Sequence, residues 1–282
     1  MWWKIVLIVL ASLIVLALLL IQIDNMLFNQ KVNTDLKALE ERVIESGKGL
    51  ITEKDIESLP EPVQRYLRYT GIIGKSRINT VQIIQKGYIR QTPDQSWMSL
   101  EAEQYFITGS PGFVWKANMR RLPGVSIKAR DMYLDGMGSM YIKLPPFITI
   151  ANASGDEIDQ GSALRYLAEM VWFPTAYLSD YIKWEPIDDN SCRIMMEYQD
   201  MTVSAVLHFN EKGEMVSITA ERYREINGRY SLDEWAPRMS AYKEINGIKI
   251  PTRSEVIWKL DSGDFKAIEI EVTDIQYDNP TM

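Results

Sequence analysis

The sequence predicts an α+β protein: an N-terminal transmembrane helix, then one domain in which a large curved antiparallel β-sheet of about 10–12 strands packs against a few helices. Three observations predict this fold. Residues 5–23 are almost continuously apolar. After Ile78 the hydrophobic period changes from that of a helix to that of a strand. Turn residues then recur about every ten residues, which is typical of an antiparallel meander.

The apolar segment Ile5–Ile23 is long enough to cross a membrane as a helix. Only Ser12 and Gln22 are polar within it, and a helix of this length spans about 28 Å, close to the hydrocarbon thickness of about 30 Å. A cleaved signal peptide is the competing interpretation, but its apolar core is shorter and precedes a site with small residues, which is missing here. We therefore expect residues 1–30 to form a single-pass anchor in the lipid bilayer.

The charges beside the anchor do not decide its orientation. Lys4 precedes the apolar segment, whereas Lys31, Lys37 and Arg42 follow it. Long C-terminal domains cross the membrane largely regardless of such charges, and the single cysteine, Cys192, suits an oxidising compartment. We expect a cell-membrane protein whose C-terminal domain lies outside the cytoplasm.

Residues 31–50 are predicted to form an amphipathic stalk helix that continues from the anchor. Their apolar residues alternate between spacings of four and three; they are Val32, Leu36, Leu39 and Val43. This stripe either docks on the domain or pairs with a second copy as a short coiled coil, and fewer than three heptads favour docking. Residues 51–282 then form a single antiparallel β-rich domain.

Two helices are predicted inside that domain, near residues 60–70 and over residues 162–173. Pro62 suits the first turn of the former, and Gly71 suits its C-terminus. The latter ends before Pro174. Its apolar stripe predicts that it lies across the sheet; the stripe consists of Leu164, Leu167, Ala168 and Val171.

The composition excludes several kinds of function. One cysteine and one histidine, His208, cannot supply a disulfide framework or the usual zinc sites. The net charge of −7 argues against a nucleic-acid partner, and no P-loop, Gly-x-Gly-x-x-Gly or Gly-x-Ser-x-Gly motif occurs. We expect no cofactor and no metal centre; the alternative is a calcium ion held by Asp156, Glu157 and Asp159 in a loop before the second helix.

Two polar residues interrupt the apolar face of the first meander. Gln104 is in register with Phe106 on one strand. Asp131 is in register with Ala129 on another. An unpaired buried carboxylate would cost several kcal/mol or take up a proton, so each of these side chains needs a partner.

The 162–173 helix offers such partners on one edge, where Arg165, Glu169 and Trp172 follow each other at spacings of four and three. The functional hypothesis is a polar-headed pocket between helix and sheet, and the alternative is a structural ion pair. The candidate ligand-binding residues are Asp131, Arg165, Glu169, Trp172, Gln104 and Trp115. No catalytic residue is predicted.

Large aromatic and flexible side chains are numerous, with 8 Trp and 14 Met in the chain. Most are expected in the core, because large side chains dominate burial. The remainder would suit the lining of a cavity, and methionines such as Met140 would accommodate an acyl chain.

The domain contains four motifs in series: Leu59-Pro60-x-Pro62-Val63-Gln64-Arg65-Tyr66-Leu67, Pro111-Gly112-Phe113-x-Trp115, Arg130-Asp131-x-Tyr133 and Arg165-Tyr166-Leu167-Ala168-Glu169-x-x-Trp172-x-Pro174. They resemble those of a family of bacterial proteins classed as a domain of unknown function, usually behind one membrane span. The resemblance covers nearly all of residues 55–278 and implies no activity.

A looser resemblance concerns the C-terminal hairpins. The segment Tyr242-x-x-Ile245-Asn246-Gly247-x-x-Ile250-Pro251-Thr252 is similar to strands of periplasmic lipoprotein-carrier proteins. That likeness implies a curved antiparallel sheet that wraps helices and shelters acyl chains.

These observations lead to one hypothesis and two alternatives. The hypothesis is a membrane-tethered extracytoplasmic domain that binds an apolar or lipid-like ligand without catalysis. The first alternative is a protein-interaction or scaffolding module of the cell envelope. The second is a hydrolase-like enzyme that uses Asp131 and Glu169.

Overall fold

The change of hydrophobic period along the chain separates a helical N-terminal part from a β-rich remainder. The computed structural model describes residues 2–45, 47, 49–122, 125–226 and 228–278. Its helices are α1 (Trp2–Glu40), α2 (Glu53–Ile56), α3 (Glu61–Thr70) and α4 (Asp156–Glu169), with 3₁₀ turns over Met170–Trp172 and Pro174–Leu178. Its strands are β1 (Thr80–Ile89), β2 (Met98–Ile107), β3 (Gly112–Leu122), β4 (Val125–Leu134), β5 (Met137–Leu144), β6 (Ile148–Ser154), β7 (Ile182–Asp188), β8 (Ser191–Tyr198), β9 (Met201–Phe209), β10 (Met215–Ile226), β11 (Arg229–Trp235), β12 (Arg238–Ile245), β13 (Ile248–Leu260) and β14 (Gly263–Tyr277).

The strands within the described ranges form one 14-stranded antiparallel sheet. The order is β6-β5-β4-β3-β2-β1-β14-β13-β11-β10-β9-β8-β7, and β12 pairs with β10 and β13. The predicted fold class is confirmed, with more strands than expected. The additional strands include β6 and β11, which are largely exposed and therefore lack the alternation of apolar and polar residues that reveals a strand in sequence.

The sheet has an inner face and an outer face. The inner face packs against α3, α4 and the 3₁₀ turns, and the outer face of β2–β5 packs against α1. Between α4 and the inner face lies a cluster of aromatic rings, whose neighbouring centroids are 4.7–6.3 Å apart. Its members are Phe106, Phe113, Tyr133, Tyr166 and Phe173.

Helix α3 follows the local signals of its sequence. Pro62 lies in the first turn, and Gly71 ends the helix in the left-handed conformation with φ of 76°. Val63, Tyr66 and Leu67 are fully or almost fully buried. Their spacing places them on one face, so this short helix contributes to the core.

Helix α4 begins at Asp156, six residues before the predicted start, so the predicted loop over residues 155–159 is wrong. Gly155 has a φ of 113° and ends the preceding segment. The acidic residues of the first turn then lie at the positive end of the helix dipole, where carboxylates are favourable. The α-helical part ends at Glu169, and the rest of the predicted helix is the 3₁₀ turn Met170–Trp172.

Helix α1 continues without a break from the apolar segment to Glu40. The predicted stalk is thus the continuation of the anchor helix, and its helical part ends ten residues before position 50. Val32, Leu36 and Leu39 are buried against the outer face, whereas Val43 lies beyond the helix and is exposed. The contacts are those of a stripe docked on the sheet, the first of the two predicted arrangements.

Candidate ligand-binding site

A row of three side chains crosses the inner face at mid-strand. Gln104 on β2 lies directly opposite Trp115 on β3, and Trp115 lies opposite Asp131 on β4. Directly paired residues point to the same side of an antiparallel sheet. The register therefore brings together three of the predicted candidate residues.

Helix α4 adds two charged side chains to this row. The Arg165 guanidinium binds Asp131 through Nη1, 2.8 Å from Oδ2, and Glu169 through Nε, 2.9 Å from Oε1. Gln104 Nε2 donates to the other Glu169 oxygen at 2.7 Å. All three charged side chains are largely buried. Because they lie four residues apart, Arg165 and Glu169 share one edge of the helix and face the sheet together.

Trp115, the aromatic residue of the row, packs against the guanidinium of Arg165. The Arg165 guanidinium lies 4.7 Å from the ring centre of Trp115 and 5.0 Å from that of Phe113, within the range of cation–π attraction. Trp115 Nε1 donates to Gln85 Oε1 at 3.0 Å, and Gln85 contacts Gln104 in turn. Gln85 is fully buried on the apolar side of β1, a polar break in the pattern that sequence reasoning missed.

Trp172 does not join the cluster. It lies in the 3₁₀ turn, where each residue turns the chain by about 120° instead of about 100°, so its spacing from Glu169 no longer keeps it on the same edge. Its indole N–H donates to the Pro251 carbonyl oxygen at 3.1 Å. The prediction that Trp172 lines the same pocket as Asp131 and Arg165 is therefore wrong.

Burial and ion pairing have opposite effects on the pKa values of the charged groups in the cluster. Burial raises the pKa of Asp131 and of Glu169 above the ordinary carboxyl values, and Arg165 counteracts this rise. Burial alone would lower the pKa of Arg165, but Glu169 and then Asp131 raise it. Both carboxylates bind the same guanidinium, so this arrangement fastens α4 to the sheet.

A second arginine faces the cluster from the other half of the sheet. Arg222 lies on the inner side of β10, half-buried, and its Nε donates to the Gly161 carbonyl oxygen at 3.0 Å. Its guanidinium carbon is 4.9 Å from the ring centre of Trp235 and 5.8 Å from that of Trp258. Burial, and next the charge of Arg165, lower the pKa of Arg222.

Arg222 differs from Arg165 in its hydrogen bonds. In the part of the chain that the structure describes, its terminal nitrogens have no acceptor, and it forms no ion pair. The buried Trp235 Nε1 also has no acceptor there. Sequence reasoning missed Arg222, although it shares the apolar side of β10 with Ile218 and Ala220, the same signal that identified Asp131.

Beyond the polar row, one end of the inner face is apolar and only partly covered. Half-buried side chains of five strands lie there against the core; they are Ile89, Met98, Ile127, Ile142 and Leu260. The helices pack toward the other end, where Phe106 and Phe113 lie. The polar cluster thus stands between a helix-covered part and an open apolar part.

The predicted calcium ligands lie in the first turn of α4. Asp159 Oδ1 accepts the Gly138 backbone N–H at 2.6 Å, which ties the helix to β5. Across the described ranges, no group of three His, Cys, Asp or Glu side chains is placed to hold a metal ion.

Comparison with known proteins places most of the chain within one sequence family. The model of a family of unknown function, DUF6544, matches residues 49–270. Among curated proteins, none matches the chain.

Three solved structures are similar in shape at low sequence identity. The first, a DUF1329 family protein from Desulfovibrio piger, is 12% identical, with 80% of this chain and 96% of that chain covered and a TM-score of 0.46. An outer membrane lipoprotein-sorting protein domain from Vibrio parahaemolyticus is 9% identical, with 82% and 94% covered and a TM-score of 0.40. A LolA superfamily protein from Nitrosomonas europaea is 13% identical, with 77% and 94% covered and a TM-score of 0.40.

Proposed function

The chain belongs to the DUF6544 family of unknown function, and we propose that it is a membrane-anchored domain, held outside the cytoplasm, that binds an amphiphile with an acidic head group. The head group contacts the inner face at Arg222, and the apolar tail lies along the open end of that face. The observation that carries this proposal is the guanidinium of Arg222, whose terminal nitrogens have no acceptor among the described residues.

A guanidinium in this position favours an acidic partner. Arg222 is half-buried, and its terminal nitrogens have no acceptor among the described residues, so they can donate to a ligand in place of water. Arginine remains protonated at neutral pH and binds carboxylates or phosphates through two parallel N–H bonds. The rings of Trp235 and Trp258 hold this guanidinium on the inner face and leave its outer nitrogens for a ligand.

The ion cluster has a supporting role in this proposal. The Arg165 guanidinium binds both Asp131 and Glu169. Carboxylates held in these ion pairs are poorly suited to acid–base catalysis, so the cluster favours binding over hydrolysis. The cluster keeps α4 across the sheet and forms the polar wall beside the head group. Gln104 and Trp115 complete that wall from the strands.

Helix α1 supports the proposal of a membrane anchor. By length and composition, this helix is the one candidate for a membrane span among the described residues, with a mean hydropathy of 3.1 over its most apolar 18 residues and none of them buried. The same helix continues into the segment docked on the sheet. That continuity favours an apolar segment that stays attached over a cleaved signal peptide.

The binding proposal is tested with a fluorescent fatty acid, cis-parinaric acid, and its methyl ester. The full chain in mild detergent is expected to bind the acid about tenfold more tightly than the ester, since a charged hydrogen bond contributes about 1.5–3 kcal/mol. Arg222→Gln should remove this preference. Arg224→Gln is the matched control, because Arg224 lies on the same side of the same strand but is already paired with Asp233 at 2.8 Å.

Two results would contradict the proposal. One is equal binding of acid and ester by the unsubstituted chain. The other is an equal loss of preference in Arg222→Gln and Arg224→Gln, which would indicate a diffuse effect of positive charge. The anchor is tested separately by extracting membranes with alkali, where a retained span keeps the chain in the membrane pellet and a cleaved one releases it.

A further inference from the structure

Helix α1 changes its surroundings abruptly at Asp24. Up to Ile23 its side chains are exposed or nearly so, whereas Asp24 is fully buried. From there a stripe at spacings of four, four, four and three is buried against the outer face of the sheet; it consists of Asp24, Phe28, Val32, Leu36 and Leu39. The apolar part of the helix therefore ends where the domain begins.

Two ion pairs fix the docked segment in place. Asp24 pairs with Lys143 on β5, and both side chains are at least nine-tenths buried. One end of the segment is thus held at β5. Further along, Asp35 Oδ2 lies 2.9 Å from Arg130 Nε on β4. Because the helix is unbroken and paired at two points, the apolar segment and the sheet keep one relative orientation.

The turn between β5 and β6 lies beside α1 near Asp24. Phe147 in this turn borders an open concavity of about 200 Å³ together with Asp24, Leu27 and Lys31. The turn and the start of β6 expose large apolar side chains: Phe147 is 51% exposed, Ile148 55% and Ile150 48%. Exposed apolar side chains thus cluster beside the end of the apolar segment.

Basic side chains lie next to this tip. The Lys31 ammonium group is 6.0 Å from the ring centre of Tyr141, and the Lys128 ammonium group is 5.4 Å from that of Phe28. Neither lysine forms an ion pair with a described residue. Apolar side chains beside free lysines suit the boundary between acyl chains and acidic head groups.

We propose that the tip formed by Phe147, Ile148 and Ile150 lies in the interface of the membrane that holds the anchor, with Lys31 and Lys128 against acidic phospholipid head groups. This inference rests on the proposed anchor. It adds a second membrane contact, which holds one edge of the sheet against the bilayer.

The other end of the docked helix provides a contrast. The β4–β5 turn contains Asp135, which binds Arg42 Nε at 3.1 Å just after α1 ends. Met137 beside it is 66% exposed. The docked segment between Asp24 and Glu40 is about 24 Å long at about 1.5 Å per residue, so Met137 lies well away from the membrane in the proposed orientation.

The test places an environment-sensitive fluorophore, NBD, on single introduced cysteines in the full chain. The chain is reconstituted into vesicles of phosphatidylcholine and phosphatidylglycerol, with or without doxyl-labelled lipid as quencher. The variants are Ile148→Cys, Ile150→Cys, Met137→Cys and Leu10→Cys. The native Cys192 is fully buried, so the unsubstituted chain serves as the labelling blank.

We expect blue-shifted, quenched emission at Ile148→Cys and Ile150→Cys, and neither effect at Met137→Cys. If the two β6 positions match Met137→Cys while Leu10→Cys is quenched, the inference is overturned and the anchor stands. If Leu10→Cys is not quenched, the anchor and the inference both fail. Replacing phosphatidylglycerol by phosphatidylcholine should weaken the quenching at Ile148→Cys, and unchanged quenching would overturn the role of the two lysines.

Discussion

The two faces of the first meander each hold a helix through buried ion pairs, but the pairs are arranged differently. On the outer face, Asp24 binds Lys143 and Asp35 binds Arg130, one carboxylate to one cation. These pairs sit beside an apolar stripe of α1 that is almost fully buried. Each outer pair joins a helix residue to a strand residue, as expected of a contact that holds two elements together.

On the inner face the charges are shared unequally. Arg165 binds both Asp131 and Glu169, whereas Arg222 binds neither, and among the described residues its one hydrogen-bond acceptor is the Gly161 carbonyl. Arg222 is therefore not needed to neutralise a buried carboxylate of this face. The comparison therefore separates a structural contact on the outer face from a site on the inner face, where the terminal nitrogens of Arg222 have no acceptor among the described residues.

The largest effect is expected when one partner of the outer face is removed. Asp24→Ala leaves the Lys143 ammonium buried without a counter-charge, which costs about 3–5 kcal/mol. The free energy of unfolding, measured by denaturation in mild detergent, should fall by that amount, and α1 should become accessible to trypsin at Lys31. The double variant Asp24→Leu with Lys143→Met is the control. It should recover most of the loss, and a double variant as unstable as Asp24→Ala would show that the charges are not the cause.

A somewhat smaller loss is expected on the inner face. Arg165→Met leaves Asp131 and Glu169 without their shared cation, and we expect a loss of about 2–4 kcal/mol, since the Asp131 side chain keeps 24% of its exposure. Arg165→Lys should fall between the two, because an ammonium cannot bind both carboxylates with the geometry of a guanidinium. The same denaturation measurement applies. A lysine variant no better than methionine would mean that packing of the guanidinium on Trp115, not its charge, carries the effect.

The Glu169 carboxyl of the inner cluster should make the stability of the chain depend on pH. Burial raises the pKa of Glu169 above its ordinary value of 4.5, so the folded chain holds this proton more tightly than the unfolded chain. The resulting stability is complete below that ordinary value and is lost as the pH rises through the raised pKa. The wild-type chain should therefore gain stability relative to Glu169→Gln as the pH falls from about 7 to about 4. Parallel curves for the two chains would contradict the direction of the shift.

The fold class was predictable because it depends on periodicity, which is local. Alternation of apolar and polar residues identified strands such as β2 and β9, whose inner sides are buried. The same rule could not find β6 or β11, because strands exposed on both sides have no apolar period. The start of the docked stripe at Asp24, before the predicted stalk, was also not found, because a buried aspartate does not belong to an apolar period.

The site was predictable in part for the same reason. A carboxylate on an apolar side needs a partner, which led to Asp131, Arg165 and Glu169. Trp172 was wrong because the helical spacing does not persist into a 3₁₀ turn. Arg222 was missed although its place on the apolar side of β10 is a local signal. Only its relation to the cluster depends on how the two halves of the sheet face each other, a long-range property that no local period encodes.

The smallest effect on stability is expected at the residue with the largest proposed effect on binding. Arg222→Gln removes a half-buried charge that has no ion pair among the described residues. The free energy of unfolding should therefore fall by no more than about 1 kcal/mol, the scale of the hydrogen bond to Gly161 and the contacts with two Trp rings. The same variant is expected to lose the preference for the acid over the ester. A large loss of stability in Arg222→Gln would place this arginine with Arg165 as a structural cation, and the distinction between the two faces would disappear. Stability retained while binding is lost is the pattern expected of a residue that is kept for its ligand.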